Sequence, residues 1–166
     1  PGGPPFIVFE FIDGFDVGEM IETNALTRED ALELGRHVAS GLVHLHEQGV
    51  FHCDIKPRNL LWTGRGTKII DFNVSVAAKD EERRGGGSRR YLPPDLDFEA
   101  VPSASDLADR DLYALGLTLY EAVTGRYPWD NAQLPPPGKP ASDPREFSNL
   151  SDIAPEFVDV MLKTIA

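Results

Sequence analysis

The stretch that decides the fold is "FHCDIKPRNLLWTGRGTKIIDFN", residues 51–73. Two apolar pairs in it, residues 60–61 and 69–70, run directly against Asn59 and Asp71. An ionised side chain beside core residues loses hydrating water, which is unfavourable unless a partner compensates for the loss. The compensating partner is a salt bridge, a metal ion or a substrate, and the surrounding sequence has to decide among them.

Local signals around this stretch predict a hairpin and a long helix. Strands at residues 60–62 and 68–70 flank a turn with two glycines, which is typical of a small β-hairpin. Upstream, a capping-box pattern begins at Thr27, and apolar residues then keep helical spacing as far as Gly49. We therefore predict a core-packed helix over residues 28–48 that ends at this glycine.

The flanking regions predict a mainly helical chain with short strands at its front. Residues 6–12 are a continuous apolar and aromatic run, which predicts a buried strand or an extended connector. The charged, glycine-rich residues 77–90 predict a mobile surface loop, and residues 128–149 predict an irregular segment. Two further helices are expected, one over residues 112–124 and one from about residue 155 to the end.

Composition bounds the class of protein. The chain has 166 residues, 41% of them hydrophobic and 26% charged, which suits one globular domain. A net charge of −11 argues against a nucleic-acid partner, and the lack of an 18-residue apolar run argues against a membrane span. Cys53 is the single cysteine and the first residues lack the basic region of a signal peptide, so we expect a cytoplasmic location.

Four motifs follow one another along the chain. They are HCDIKPRN at residues 52–59, DFN at 71–73, GSRRYLPPD at 87–95, and DLYALG at 111–116 followed by TGRYPW. Together they resemble the eukaryotic-type protein kinase family in its serine/threonine form, with its H-R-D-x-K-P-x-N, D-F-G, G-T-x-x-Y-x-A-P-E and D-x-x-x-x-G patterns. One such motif would be weak support, whereas four in register are specific.

The resemblance implies a fold, the mainly α C-terminal lobe of a protein kinase, over residues 1–166. This lobe is a helical bundle with short β-hairpins at the catalytic cleft. The resemblance places the hinge to the other lobe at about residues 6–14 and a truncation before the last helix. No glycine-rich loop or strand lysine of the N-terminal lobe is recognisable. We therefore expect the missing N-lobe of the same parent chain to be a partner, and the isolated chain to be nearly inactive.

The resemblance also implies the chemistry at the opening stretch. Phosphoryl transfer requires positioning and neutralisation of charge more than covalent help from the protein. Asp54 would be the catalytic base for the attacking hydroxyl, and Lys56 would balance charge on the transferred group. Asn59 and Asp71 would hold Mg²⁺ together with the phosphates of ATP. Metal and nucleotide would then compensate the charges, although Asp54 or Asp71 taken alone would favour a loop salt bridge.

Further contacts are implied for the nucleotide. Backbone groups of Glu10 and Ile12 would meet the adenine, Leu61 would form the floor under it, and Asp16 would contact the ribose. The plainer alternatives remain open: Leu61 is a core residue only, and Asp16 is a solvated loop acid.

The resemblance also covers the substrate and the scaffold of the loop. The segment from Ser88 to Asp95 would dock a protein substrate. His52 is expected to order the catalytic loop. Asp111 is expected to cap the helix that it starts and to hydrogen-bond the loop backbone.

Three departures from the family pattern affect regulation and geometry. Cys53 replaces the arginine of H-R-D, a non-RD variant, and residues 76–87 contain no serine, threonine or tyrosine. Activity is therefore expected not to depend on phosphate in this loop. Asn73 replaces the glycine of D-F-G, and asparagine tolerates a left-handed backbone. Asp95 replaces a glutamate whose arginine partner is not recognisable in the chain.

These observations favour an ATP-dependent protein serine/threonine kinase that is active when joined to its N-lobe. The alternative is a pseudokinase, in which the fold persists as a scaffold without catalysis. A small-molecule phosphotransferase is a third option, and the docking segment argues against it.

Overall fold

The computed structural model describes residues 6–79, 86–129, 132–147 and 153–166. Helices dominate it, and five short strands form two small sheets. The helices are α1 (Val17–Glu22), α2 (Arg28–Glu47), α3 (Ala104–Thr124) and α4 (Pro155–Thr164). The strands are β1 (Phe15–Asp16), β2 (Val50–Phe51), β3 (Leu60–Thr63), β4 (Gly66–Ile69) and β5 (Val76–Ala77).

Helix α2 confirms the prediction made from its start and stop signals. Thr27 Oγ1 accepts the backbone N–H of Asp30 at 3.1 Å, and the Asp30 carboxylate accepts that of Thr27 at 2.9 Å. This reciprocal box satisfies two N–H groups that the first turn leaves without helical partners. Past the helix end, Gly49 has a φ of +67°, which glycine adopts without strain. The apolar face of α2 packs on α3 and α4 to form the core.

Helix α3 begins earlier than predicted. Its N-cap is Ser103, which forms a second capping box with Asp106, whereas the sequence predicted a start at Leu112. The reason is that the first two turns are largely polar, so the apolar periodicity becomes visible only in the buried second half. Asp111 consequently lies inside the helix and does not cap it, which corrects that part of its expected role.

Two sheets bring distant parts of the chain together. Strands β3 and β4 form the predicted hairpin with Leu60 opposite Ile69, and β1 adds to its edge with Asp16 opposite Leu61. The second sheet pairs β2 with β5, Phe51 opposite Val76. This second pairing, which the sequence did not predict, closes the chain between residues 51 and 76 into one structured loop.

The remaining predictions have mixed outcomes. Helix α4 is confirmed, but residues 6–12 form no strand and the side chains of Phe6 to Phe9 and of Phe11 are 77–89% exposed. Of the two alternatives predicted for this segment, a buried strand or an extended connector, the buried strand is wrong, because no strand in the described part of the chain pairs with it. The surface-loop prediction fell partly on residues 80–85, and the irregular-segment prediction partly on residues 130–131 and 148–149. All of these lie outside the described residues.

No helix in the described ranges combines the length and the apolar character needed to cross a lipid bilayer.

Candidate active site

Asp111 holds the loop that carries the candidate catalytic residues. Its buried carboxylate accepts the backbone N–H of His52 at 2.9 Å and that of Cys53 at 2.7 Å. The ring of His46 lies 2.9 Å from the same carboxylate. Cys53 has a φ of +65°, a conformation that few non-glycine residues adopt. The expected contact of Asp111 with the loop backbone is therefore present, made from the interior of α3, and it fixes the backbone immediately before Asp54.

Asp54 lies among hydrogen-bond donors. Its Oδ2 atom accepts from Lys56 Nζ at 2.7 Å and from Asn59 Nδ2 at 3.0 Å, and its Oδ1 atom accepts the backbone N–H of Ser88 at 2.7 Å. Burial opposes ionisation, but the bonds from Lys56 and Ser88 outweigh it and hold the pKa of Asp54 below its usual value. The carboxylate is thus ionised at neutral pH and able to accept a proton.

Lys56 joins Asp54 to the predicted docking segment. Its ammonium nitrogen lies 2.7 Å from Ser88 Oγ as well as 2.7 Å from the Asp54 carboxylate. Gly87, the residue before Ser88, has a φ of +135°, and a Cβ atom at this position would collide with the carbonyl oxygen of Cys53. The segment therefore approaches the loop so closely that a glycine is required. Gly87 is the first residue of the GSRRYLPPD motif, but its close contact with Cys53 was not predicted from the sequence.

Asn59 and Asp71 flank the same end of the hairpin. The backbone N–H of Ile70 donates to the carbonyl of Asn59 at 2.9 Å, so Asp71 follows directly on that contact. Asp71 is exposed, has a φ of +65°, and makes no hydrogen bond or ion pair with the residues that the structure describes. The side-chain nitrogen of Asn59 donates to Asp54, and no residue in the described ranges donates to its amide oxygen.

These two oxygen donors fit a magnesium ion. Mg²⁺ takes oxygen ligands and is commonly bound through one or two protein groups plus substrate phosphates and water. Within the described ranges, no group of three or more histidine, cysteine, aspartate or glutamate residues could hold a metal ion. A metal bound by Asn59 and Asp71 would therefore take its other ligands from a nucleotide and from water.

His52 orders the loop, as its sequence context predicted. The ring is fully buried; its Nδ1 atom accepts the backbone N–H of Asp54 at 3.2 Å, and Nε2 lies 3.0 Å from the Ile70 carbonyl oxygen. Because Nδ1 accepts, Nε2 carries the proton and donates it to Ile70. The ring also packs edge-on against Phe72, with centroids 4.8 Å apart. His52 thereby ties the catalytic loop to the segment that carries Asp71.

The four expected nucleotide contacts separate into two groups. Asp16 and Leu61 lie opposite each other in the β1–β3 pair, where Leu61 is half-buried. Asp16 also caps α1 by accepting the Glu19 N–H at 2.9 Å, a role that sequence reasoning missed. Glu10 is exposed and Ile12 is half-buried, and both precede β1 outside any strand.

Comparison with known proteins gives one consistent answer. Residues 5–164 match the protein kinase domain family. The chain is 33% identical over 131 residues to the probable serine/threonine-protein kinase PknB of Lactococcus lactis, covering 75% of this chain and 20% of that protein. It is 37% identical over 129 residues to the serine/threonine-protein kinase GRIK2 of Arabidopsis thaliana, covering 75% and 31%.

A third relative is similar along the whole chain. The serine/threonine-protein kinase PknB of Mycolicibacterium smegmatis is 30% identical over 178 residues, covering 100% of this chain and 28% of that protein. The chain thus spans less than a third of the length of these three relatives.

Proposed function

Because the chain belongs to the protein kinase family, we propose that it carries the catalytic centre of an ATP-dependent protein serine/threonine kinase. The observation that carries the proposal is the joint contact of Asp54, Lys56 and Ser88. It places an ionised carboxylate and a cation next to a segment that resembles a protein-docking site. In-line phosphoryl transfer requires this combination of a positioned proton acceptor and fixed positive charge.

Each residue has one task in the proposed reaction. Asp54 accepts the proton of the substrate hydroxyl as that oxygen bonds to the γ-phosphorus, the bond from the γ-phosphorus to the bridging oxygen breaks and ADP leaves, and Lys56 stabilises the charge on the transferred group. Asn59 and Asp71 would hold a magnesium ion. When bound, this ion neutralises charge on the phosphates of ATP.

The lobe assignment belongs to the same proposal. The chain is the C-terminal lobe, and an N-lobe elsewhere in the parent protein completes the nucleotide cleft. Two observations support this assignment. The apolar side chains of residues 6–9 and of Phe11, which precede β1, are exposed. In addition, the chain spans less than a third of the length of the three relatives described above. Backbone groups of Glu10 and Ile12 would contact the adenine. Asp16 would contact the ribose, and Leu61 would form the floor under the adenine.

Regulation of this protein is expected to differ from that of kinases whose activation loop is phosphorylated. Phosphorylation orders an activation loop only when an arginine is positioned to receive the added phosphate. Cys53 occupies the receiving position here, and residues 76–87 offer no hydroxyl. Phosphatase treatment of the active protein should therefore leave its initial rate unchanged.

The proposal is tested with the complete protein that contains this chain. It is incubated with Mg²⁺ and γ-labelled ATP in the presence of a mixture of proteins, and the labelled amino acids are identified. Label on serine or threonine, lost when EDTA removes the metal, is the expected result. Nucleotide binding without transfer would identify a scaffold, and transfer only to small molecules would identify a different phosphotransferase.

A further inference from the structure

A polar groove lies beside the candidate active site. It has a volume of about 460 Å³ and runs between α1, the end of the catalytic loop, the docking segment and the end of α3. The charged residues that line it are Glu22, Arg58, Arg90, Glu121 and Arg126. We call this cavity the arginine groove.

Both glutamates of the arginine groove are already neutralised by neighbouring donors. One carboxylate oxygen of Glu121 accepts from Arg90 at 3.2 Å, and the other accepts from the Tyr91 hydroxyl. Burial and the charge of Glu121 both raise the pKa of Tyr91, so the phenol stays protonated and keeps donating. On the opposite wall, Glu22 binds Arg58 at 2.6 Å. Neither glutamate is therefore a free acceptor for a basic side chain of a substrate.

The wall formed by Arg90 and Arg126 is cationic. The Arg90 guanidinium lies 3.6 Å from the ring centroid of Tyr127, and the Tyr127 hydroxyl donates to the Arg90 carbonyl at 2.9 Å. Arg126 is exposed, lies 5.3 Å from the ring centroid of Phe147, and has no carboxylate partner among the described residues. Two arginines thus face a single glutamate here, in a chain whose net charge is −11.

The opposite wall of the arginine groove carries more negative than positive charge. Arg58 there is surrounded by three carboxylates, at 3.4 Å from Asp16, 3.3 Å from Glu19 and 2.6 Å from Glu22. An anion entering the groove is therefore repelled from α1 and attracted to the wall that carries Arg126. Arginine suits this task because its planar guanidinium pairs with both oxygens of a carboxylate or phosphate.

We propose that the wall formed by Arg90 and Arg126 binds an anionic side chain of the protein substrate, a carboxylate or a phosphate monoester, close to the acceptor hydroxyl. The inference rests on the proposed function. It follows from continuity of the surface, because Tyr91 on this wall is bonded through its backbone to Ser88 at 2.8 Å. Ser88 in turn contacts Asp54, where the acceptor hydroxyl would lie.

The test is a peptide series assayed with the complete protein. Each peptide carries one acceptor serine, and glutamate, phosphoserine, alanine or arginine is placed in turn at each of several positions on either side. At one or two neighbouring positions, the anionic peptides should have a kcat/KM roughly two to five times that of alanine peptides, the range for a partly exposed ion pair. Added salt should reduce this ratio. The glutamate and phosphoserine arms show which anion is preferred.

Variants locate the effect. Arg126→Gln should bring the ratio of anionic to alanine peptides close to one, and Arg126→Lys should retain part of it. The control is Arg36→Gln on α2, where the exposed guanidinium lies 3.9 Å from Glu33, and it should leave the ratio unchanged. A preference for arginine peptides, or an anionic preference that survives Arg126→Gln, would overturn this inference and leave the proposed function standing. Absence of transfer to every peptide would count against the proposed function as well.

Discussion

The backbone N–H of Ser88 donates a hydrogen bond of 2.7 Å to Oδ1 of Asp54. The segment that would dock a substrate is thus attached to the carboxylate that would accept the substrate proton. Lys56 reinforces the link, because its ammonium group contacts both Asp54 and Ser88. A change that displaces Ser88 should therefore alter the position and the charge environment of Asp54 together.

Gly87→Ala is expected to disrupt this link. The added Cβ would collide with the Cys53 carbonyl oxygen, and the φ of +135° is unfavourable for alanine. Displacement by about 1 Å at such a site can lower the rate roughly a hundredfold, so kcat of the complete protein should fall by at least tenfold. The control is Gly64→Ala, because a Cβ at Gly64 meets no atom within 4 Å. Equal kcat values for the two variants would contradict the proposed role of Gly87.

Asp111→Ala is expected to destabilise the fold. Its carboxylate is buried and accepts two backbone N–H groups, and removing it leaves both donors without a partner. The free energy of unfolding, measured by urea denaturation, should fall by roughly 3 kcal/mol or more. Asp109→Ala, an exposed change on the same helix, should stay within about 0.5 kcal/mol of the unmodified protein. Similar losses for the two variants would show that the loop contacts of Asp111 contribute little.

The Cys53 thiol is expected to resist alkylation in the folded chain. Burial and the nearby Asp111 carboxylate raise the pKa of Cys53 to about 12, from an ordinary value of 9.0. The thiolate is the reactive form, so its low population at pH 8 should slow reaction with iodoacetamide roughly a thousandfold relative to the chain unfolded in urea. Comparable rates in the folded and unfolded states would show that this part of the loop opens readily.

The same pKa shift predicts a pH dependence of stability. Between pH 9 and about 12, the unfolded chain loses the Cys53 proton while the folded chain keeps it. The free energy of unfolding should therefore decline as pH rises through this window. Cys53→Ala should remove that part of the decline, and an unchanged slope would contradict the shift.

Asp71→Ala should weaken binding of nucleotide only when magnesium is present. Asp71 is an exposed carboxylate without a partner in the described part of the chain, so its proposed role depends on the metal. In the complete protein, the affinity for a fluorescent ATP analogue should fall at least roughly tenfold with Mg²⁺ present. Without Mg²⁺, the variant and the unmodified protein should bind alike. Asp13→Ala, an exposed acid before β1, is the control, and an identical metal dependence for both variants would contradict the assignment.

The elements that the sequence predicted correctly are those with local signals. Helix α2 has a capping box at Thr27 and a glycine past its end, and the β3–β4 hairpin has glycines in its turn. Helix α4 has a proline in its first turn and an apolar face. In each case, the residues that fix the element lie within the element or next to it.

The features that the sequence did not predict depend on contacts between distant residues. The β2–β5 pair joins residues 25 and 27 positions apart in the chain, Phe51 with Val76 and Val50 with Ala77, and two-residue strands carry no recognisable periodicity. Asp111 was expected at a helix start, because the polar first turns of α3 hide its true N-cap, Ser103. The link between Asp54 and Ser88 spans 34 residues, and only the folded chain brings them together.

The candidate site was predicted from motif resemblance more than from physical patterns. The motifs predicted Asp54, Lys56, Asn59 and Asp71 as site residues. In the structure, Lys56 and Asn59 both donate hydrogen bonds to the Asp54 carboxylate. The second role of Asp16 as the cap of α1 and the tight contact of Gly87 with Cys53 were not predicted from the sequence. Both depend on backbone conformation, which the residue types alone do not specify.

The central claim is that Asp54 acts as the proton acceptor in phosphoryl transfer. It is tested most directly by comparing Asp54→Asn with the unmodified complete protein, measuring both phosphate transfer from ATP to a protein substrate and nucleotide affinity. Loss of a positioned base should lower transfer by roughly a hundredfold or more, while nucleotide affinity stays nearly constant, because Asp54 would face the substrate hydroxyl and not the nucleotide phosphates. Equal transfer rates for the two proteins would contradict a catalytic role of Asp54.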